Sequence, residues 1–367
     1  MTNSFPVFFA RAATLCLAVV ACDAKPPVDA TPPPDPAAAG EGQPAGSEHD
    51  KAPPPAPPEP EPEPEIPGGG PDPLTLGADY STSLGSPTGG TLSGGVPLPL
   101  HGPGYRFSPN KDEGARYGTV ELVAALVRSA GVVHEALPGN TITFGDIARQ
   151  SGGDISGHGS HRSGRDTDIY FYFLDEDDKP LPGKAIPLDT EGKGTDFGDL
   201  EDPDDDVQVH IDVPRTWRFV QALLSQDDLA VGRIFVVEHI RTMLLAEAAA
   251  QKAPDDVVQL FADVTCQPRA PHDDHLHVRV FCTADDIAEG CEDTRPIFPW
   301  HRKRLAAAGT KAVIAKRTKK TKKKEKKTKS IAQAREDAGE MHADVTEFLD
   351  RRNAWAKKPK VGRPYCN

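Results

Sequence analysis

The segment His272-Asp273-Asp274-His275-Leu276-His277 holds three imidazoles in six residues, and a second group, His158, His161 and Asp168, lies well upstream. Five of the chain's twelve histidines fall in these two short windows. The run after His277, Val278-Arg279-Val280-Phe281, is β-branched and aromatic, which predicts a strand. Residues two apart on a strand share a face, so His275 and His277 should point into the same space. His161, Asp168 and His277 supply two imidazoles and one carboxylate, a set that holds a catalytic zinc and leaves a fourth coordination position open. Zn2+ is therefore the expected cofactor, and metal-assisted hydrolysis the expected chemistry. His275 lies one pleat from His277, within reach for a general base or for stabilising developing charge. His272 is a second pocket histidine, orienting substrate or stabilising an oxyanion. A purely supporting role is the alternative for both.

These side chains need a frame to hold them. Val120 to Val127 has apolar residues at helical spacing, and residues 141–144 read as a strand. Asp168 to Leu174 is a second predicted strand, followed by a long acidic loop to Asp206 at the pocket rim. Trp217 to Leu224 and Ile240 to Ala250 are predicted helices on either side of a strand over 233–237. His275 to Cys282 is the last core strand. Strands and helices do not alternate as βαβ units, so the expected fold class is α+β, with a mainly antiparallel sheet, flanking helices and long loops.

The windows Ser156-Gly157-His158-Gly159-Ser160-His161 with Gly164-Arg165-Asp166-Thr167-Asp168, and His272 to Val280, resemble the two signatures of the penicillin-insensitive murein endopeptidases. The wider group shares its fold with lysostaphin-type peptidases, D-Ala-D-Ala metallopeptidases and the Hedgehog signalling domain. The resemblance extends more weakly from Gly77 to Trp300. It implies a zinc endopeptidase acting on D-alanyl to diaminopimelate cross-links of peptidoglycan, with His275 in the base position. It puts His158 at the metal or beside it, a loop-capping role being the alternative. Some relatives have a histidine of a second metal site where this chain has His210, but the accompanying carboxylate is not matched, so a second metal there is doubtful. D-Ala-D-Ala dipeptidases and carboxypeptidases of this fold usually have Glu where this chain has His272, which favours the endopeptidase. A non-catalytic cell-wall-binding lipoprotein is the remaining alternative.

The ends of the chain read differently from the middle. Residues 1–21 fit a signal peptide, with Arg11 ahead of a short apolar run, and Val19-Val20-Ala21-Cys22 resembles a lipobox. Lipidation at Cys22 would make this a membrane-anchored lipoprotein of the periplasm of a Gram-negative envelope, the choice of membrane left open. Residues 22–75 form a Pro-rich linker with almost no apolar anchors, expected to be disordered. The catalytic domain is expected over 76–301, and residues 302–330 carry fourteen Lys and Arg against one Glu in a chain of net charge −13. That basic segment reads as disordered, with an anionic envelope polymer as candidate partner. No aromatic residues interleave its lysines to stack bases, so nucleic acid is not an expected partner. Residues 331–367 have helical composition.

Cys266, Cys282, Cys291 and Cys366 are an even set in an exported chain, which favours disulfides. Cys282 and Cys291 bracket a short turn and resemble a family loop bridge, which leaves Cys266 with Cys366. Arg116 and Arg165 are candidates for binding a substrate carboxylate, with surface salt bridges as the alternative. Ser108-Pro109-Asn110-Lys111 matches the S-x-x-K of serine peptidases, but no K-T-G follows it.

Overall fold

The structure, a computed structural model, describes residues 66–268, 270–316, 336, 338–356 and 366. The expected signal segment, Cys22, most of the Pro-rich linker and the basic run over 317–335 lie outside the described residues.

The frame is a seven-stranded sheet in the order Thr265–Cys266, Val231–Phe235, His275–Val280, Asp166–Tyr170, Ile142–Phe144, Tyr105–Phe107 and His101–Gly102. Four of its six pairings are antiparallel and two are parallel. The architecture is thus α+β and mainly antiparallel. His275–Val280 alternates polar and apolar along its length, as a strand with one face in the core must. Leu276, Val278 and Val280 are almost fully buried in the main core, while His275, His277 and Arg279 share the other face. The core is closed by helices Val120–Ala136, Val213–Leu224, Glu238–Ala250 and Asp255–Val264. Trp217, fully buried, packs edge-on against Phe261 at 5.4 Å, and Phe219 meets Phe144 of the sheet at 5.9 Å.

Several boundaries differ from the sequence reading. The apolar run Asp168 to Leu174 is two strands in two sheets. Asp166–Tyr170 belongs to the main sheet, and Phe173–Leu174 to a four-stranded sheet with Pro180–Leu181, Val207–Ile211 and Lys193–Asp196. The long acidic loop is therefore partly sheet, with Lys193–Asp196 and Val207–Ile211 pairing antiparallel. The folded part also begins before residue 76. The Leu100 amide donates to Pro67 O at 2.9 Å, and Arg116 Nη2 to Gly68 O at 2.7 Å. Nor is the basic segment disordered from its start at residue 302. Helix Pro299–Ala307 runs through it, Leu305 is buried, and Ile314 bridges to Asp293.

The disulfides are Cys282–Cys291, packed with Ile287 and Leu305, and Cys266–Cys366, which spans 100 positions. Helix Ala343–Ala356 precedes Cys366, and its Arg352 pairs with Asp273 through two hydrogen bonds of 3.0 and 2.7 Å. Among the described residues, no helix is long and apolar enough to cross a membrane.

Candidate active site

Strand register assembles the site. In the antiparallel pair, His277 lies opposite Asp168, His275 opposite Tyr170, and Arg279 opposite Asp166. Directly opposed residues share a face at close range, so two carboxylates and two imidazoles meet on one surface. His161 enters from the loop before the Asp166–Tyr170 strand. It and His272 adopt left-handed backbone conformations, φ 64° and 50°, that non-glycine residues rarely hold. Strain of this kind persists where the surrounding contacts fix it, often at functional sites.

Hydrogen bonds set the tautomers. His161 Nδ1 is 2.9 Å from Ile147 O, which can only accept, so Nδ1 carries the proton and Nε2 the lone pair. His277 Nε2 is 2.8 Å from Asp166 Oδ1, so by the same argument its Nδ1 lone pair is free. Both lone pairs face Asp168 Oδ1, at 3.3 Å from His161 Nε2 and 3.4 Å from His277 Nδ1. His161 Nε2 and Asp168 Oδ1 are buried and have no hydrogen-bond partner. Three acceptors with no proton between them repel unless a cation stands among them. Tetrahedral zinc with ligand bonds of 2.0–2.1 Å has ligand-to-ligand edges of about 3.3 Å. The residues fit the metal.

His275 reaches the same oxygen, its Nε2 lying 3.4 Å from Asp168 Oδ1 and its Nδ1 2.7 Å from Asp274 Oδ1. Burial opposes a charge on His275, but Asp168 and Asp274 outweigh it and lift its pKa to about 10. At His277 burial prevails over the pull of Asp166, and the pKa falls to about 4. His272 packs 4.8 Å from the His275 ring and 5.5 Å from His277, and burial with nearby His275 lowers its pKa. His158 turns Nε2 to Asp146 at 2.8 Å and Nδ1 toward Asp168 Oδ2 at 3.8 Å. All six residues of the two motifs thus converge.

The other candidates fall elsewhere. His210 sits on the small sheet and pairs with Asp178 at 3.1 Å, and among the described residues no ligand cluster includes it. Arg165 is fully buried, donating to Ser83 Oγ, Asp293 Oδ1 and the Val280 and Glu292 carbonyls. Arg116 is buried on the Leu98 and Gly68 carbonyls. Both arginines hold loops together and are not available to a substrate. Lys111 pairs with Asp146 at 2.7 Å.

Sequence reasoning missed Asp166, Asp146 and Asp274, the carboxylates that hold His277, His158 and His275. Asp166 and Asp274 lay within the motifs and carried a readable signal, since Asp166 shares a strand face with Asp168. Asp146 had no such signal.

A strand pair and the loop before it, presenting His277, Asp168 and His161 to one position beside a carboxylate-held imidazole, form the kind of site a metallopeptidase uses. A family model described as penicillin-insensitive murein endopeptidase matches residues 83–347, and the chain belongs to that family. It is 29% identical over 225 residues to the penicillin-insensitive murein endopeptidase of Klebsiella pneumoniae, covering 59% of this chain and 72% of the relative. The proteins of that name from Haemophilus influenzae (31% over 222 residues, 59% and 68% covered) and Yersinia pestis (29% over 224, 58% and 71%) are similar to it as well.

Proposed function

We propose that this chain is a zinc-dependent endopeptidase that hydrolyses the D-alanyl to diaminopimelate cross-links of peptidoglycan. The observation that carries the reading is the convergence of the His161 Nε2 and His277 Nδ1 lone pairs on Asp168 Oδ1. These three residues would hold the metal, with His158 beside them. When bound, zinc acts as a Lewis acid that polarises a carbonyl and lowers the pKa of water. With Asp168 engaged by the metal, the charge that lifts the His275 pKa would be largely neutralised, and His275 Nε2 would then take the proton from the attacking water and deliver it to the leaving amine. Asp274 holds the Nδ1 proton of His275 and stabilises the imidazolium between those two transfers. His272, its pKa lowered, is neutral at neutral pH and orients substrate by hydrogen bonding. The Lys111–Asp146–His158 chain fixes the far wall.

An enzyme of this class works in the cell envelope. An export signal over residues 1–21 and acylation of Cys22 would tether it there, and the basic segment would meet anionic envelope polymers. The test is digestion of purified cross-linked muropeptides. Release of monomers with glycan intact should survive penicillin, stop with EDTA and return with zinc. Cleavage that resists chelation but is blocked by penicillin would overturn the reading and return attention to Ser108.

A further inference from the structure

A second group of metal-type ligands lies where the C-terminal helix meets the acidic loop, and it shares no residue with the histidine centre. One ligand atom each from Asp206, His342 and Asp344 lies within 4.8 Å of the others. His342 Nε2 is 3.3 Å from Asp206 Oδ2, the tetrahedral-edge distance of about 3.3 Å expected for zinc-type ligands. The two side chains are only 9% and 10% exposed. His342 Nε2 and Asp206 Oδ1 are buried with no hydrogen-bond partner. The His342 amide donates to Leu200 O at 2.9 Å, and its ring stands edge-on to Phe197 at 5.7 Å. The imidazole is therefore held in place from both sides, with Nε2 aimed into the cluster.

We infer that Asp206, His342 and Asp344 form a binding site for a divalent transition-metal cation, which fastens the C-terminal helix to the acidic loop. Three further carboxylates, Asp199, Asp205 and Asp344, add negative charge around Asp206. A dication would offset that charge. One imidazole with two carboxylates suits zinc or its neighbours better than calcium or magnesium, which take oxygen ligands. Asp344 is exposed, so water completes the coordination. The site joins elements far apart in sequence, so it forms only when the helix is docked, and occupancy must favour docking by linkage.

The test is zinc titration of the EDTA-stripped full chain by calorimetry and metal analysis. Wild type should bind one zinc more than His342→Ala. Asp344→Asn, a near-isosteric change at an exposed position that leaves the fold intact, should weaken that zinc by at least about tenfold. Losing a ligand's charge should exceed the roughly 10-fold minimum seen when a supporting hydrogen bond is lost. Hydrogen exchange of residues 343–356 should slow when zinc is added to wild type and not to His342→Ala. Identical stoichiometry and affinity in wild type and both variants would overturn the site, whatever the histidine centre does. A single zinc lost in His342→Ala but retained in His161→Ala would instead leave this site standing and overturn the catalytic one.

Discussion

Replacing Asp166 by Asn isolates how much the carboxylate behind a ligand contributes to metal binding. Asp166 is fully buried and accepts from His277 Nε2 at 2.8 Å and from Arg279 Nε at 2.6 Å, both on Oδ1. The side chains of His161, Asp168 and His277, the proposed ligands, are retained, although Asp166 Oδ2 also accepts from the His161 amide at 3.4 Å. What changes is the charge that keeps the proton on His277 Nε2 and its lone pair at Nδ1. A hydrogen bond to a charged group contributes about 1–1.5 kcal/mol more than a neutral one, which corresponds to roughly 5–12-fold in lost zinc affinity. The amide must also serve two donors with one carbonyl, and Arg279 loses its counter-charge. Supporting partners of metal-bound histidines typically account for about 10–100-fold in affinity. The upper part of that range is therefore expected. Competition for zinc against a chromophoric chelator measures it, with circular dichroism to verify the fold. Zinc affinity within about twofold of wild type, below the 10-fold floor of such effects, would refute the argument that Asp166 sets the tautomer.

Further outcomes follow from other contacts. His275→Ala should keep zinc while kcat on cross-linked muropeptides falls by about 10²-fold or more, and an unchanged kcat would move the base elsewhere. Asp286 is buried and its pKa is lifted from 3.8 to about 6, so the folded state binds more protons than the unfolded one between those values. Its contribution is fully present below about pH 4 and is lost as pH rises through about 6, a change on the order of 2–3 kcal/mol. Asp286→Asn should flatten that part of the stability–pH profile measured by urea unfolding. A profile that keeps its slope would put the effect on another group. Cys366→Ser should lower stability by up to about 4–5 kcal/mol, the chain-entropy value for a loop of this length. A midpoint unmoved in urea would mean that the C-terminal segment adds nothing to the fold.

Much of the candidate site was legible because strands have a period of two. That period put His275 with His277, and the same rule places Asp166 beside Asp168, although no separate motif marks it. The Asp255–Val264 helix went unread, although Val257, Phe261 and Val264 lie at helical spacing behind Pro254. Asp146 and Lys111 were not readable, since only tertiary contact brings either to His158. Arg116 and Arg165 misled for a related reason. A guanidinium implies solvent or substrate until the structure reveals buried acceptors around it, here the Leu98 and Gly68 carbonyls for Arg116 and Ser83, Asp293 and loop carbonyls for Arg165. The run Ile169 to Leu174 is uniformly aliphatic and aromatic, and nothing in such a run marks where the chain leaves one sheet for another. The start of the basic segment was misjudged because composition registers the lysines but not the burial of Leu305.

The Cys266–Cys366 bond gives the basic stretch a topology that its composition does not reveal. Ile314 is bridged to the body on one side, and Arg352 and Cys366 are anchored on the other. The lysines therefore belong to a covalently closed ring, and their reach is bounded at both ends. A trypsin cut inside that ring opens it without releasing a fragment. Such a nicked protein should migrate as one species on a non-reducing gel and separate into two only after reduction. After a single cut the polycation thus remains covalently attached to the enzyme through the disulfide.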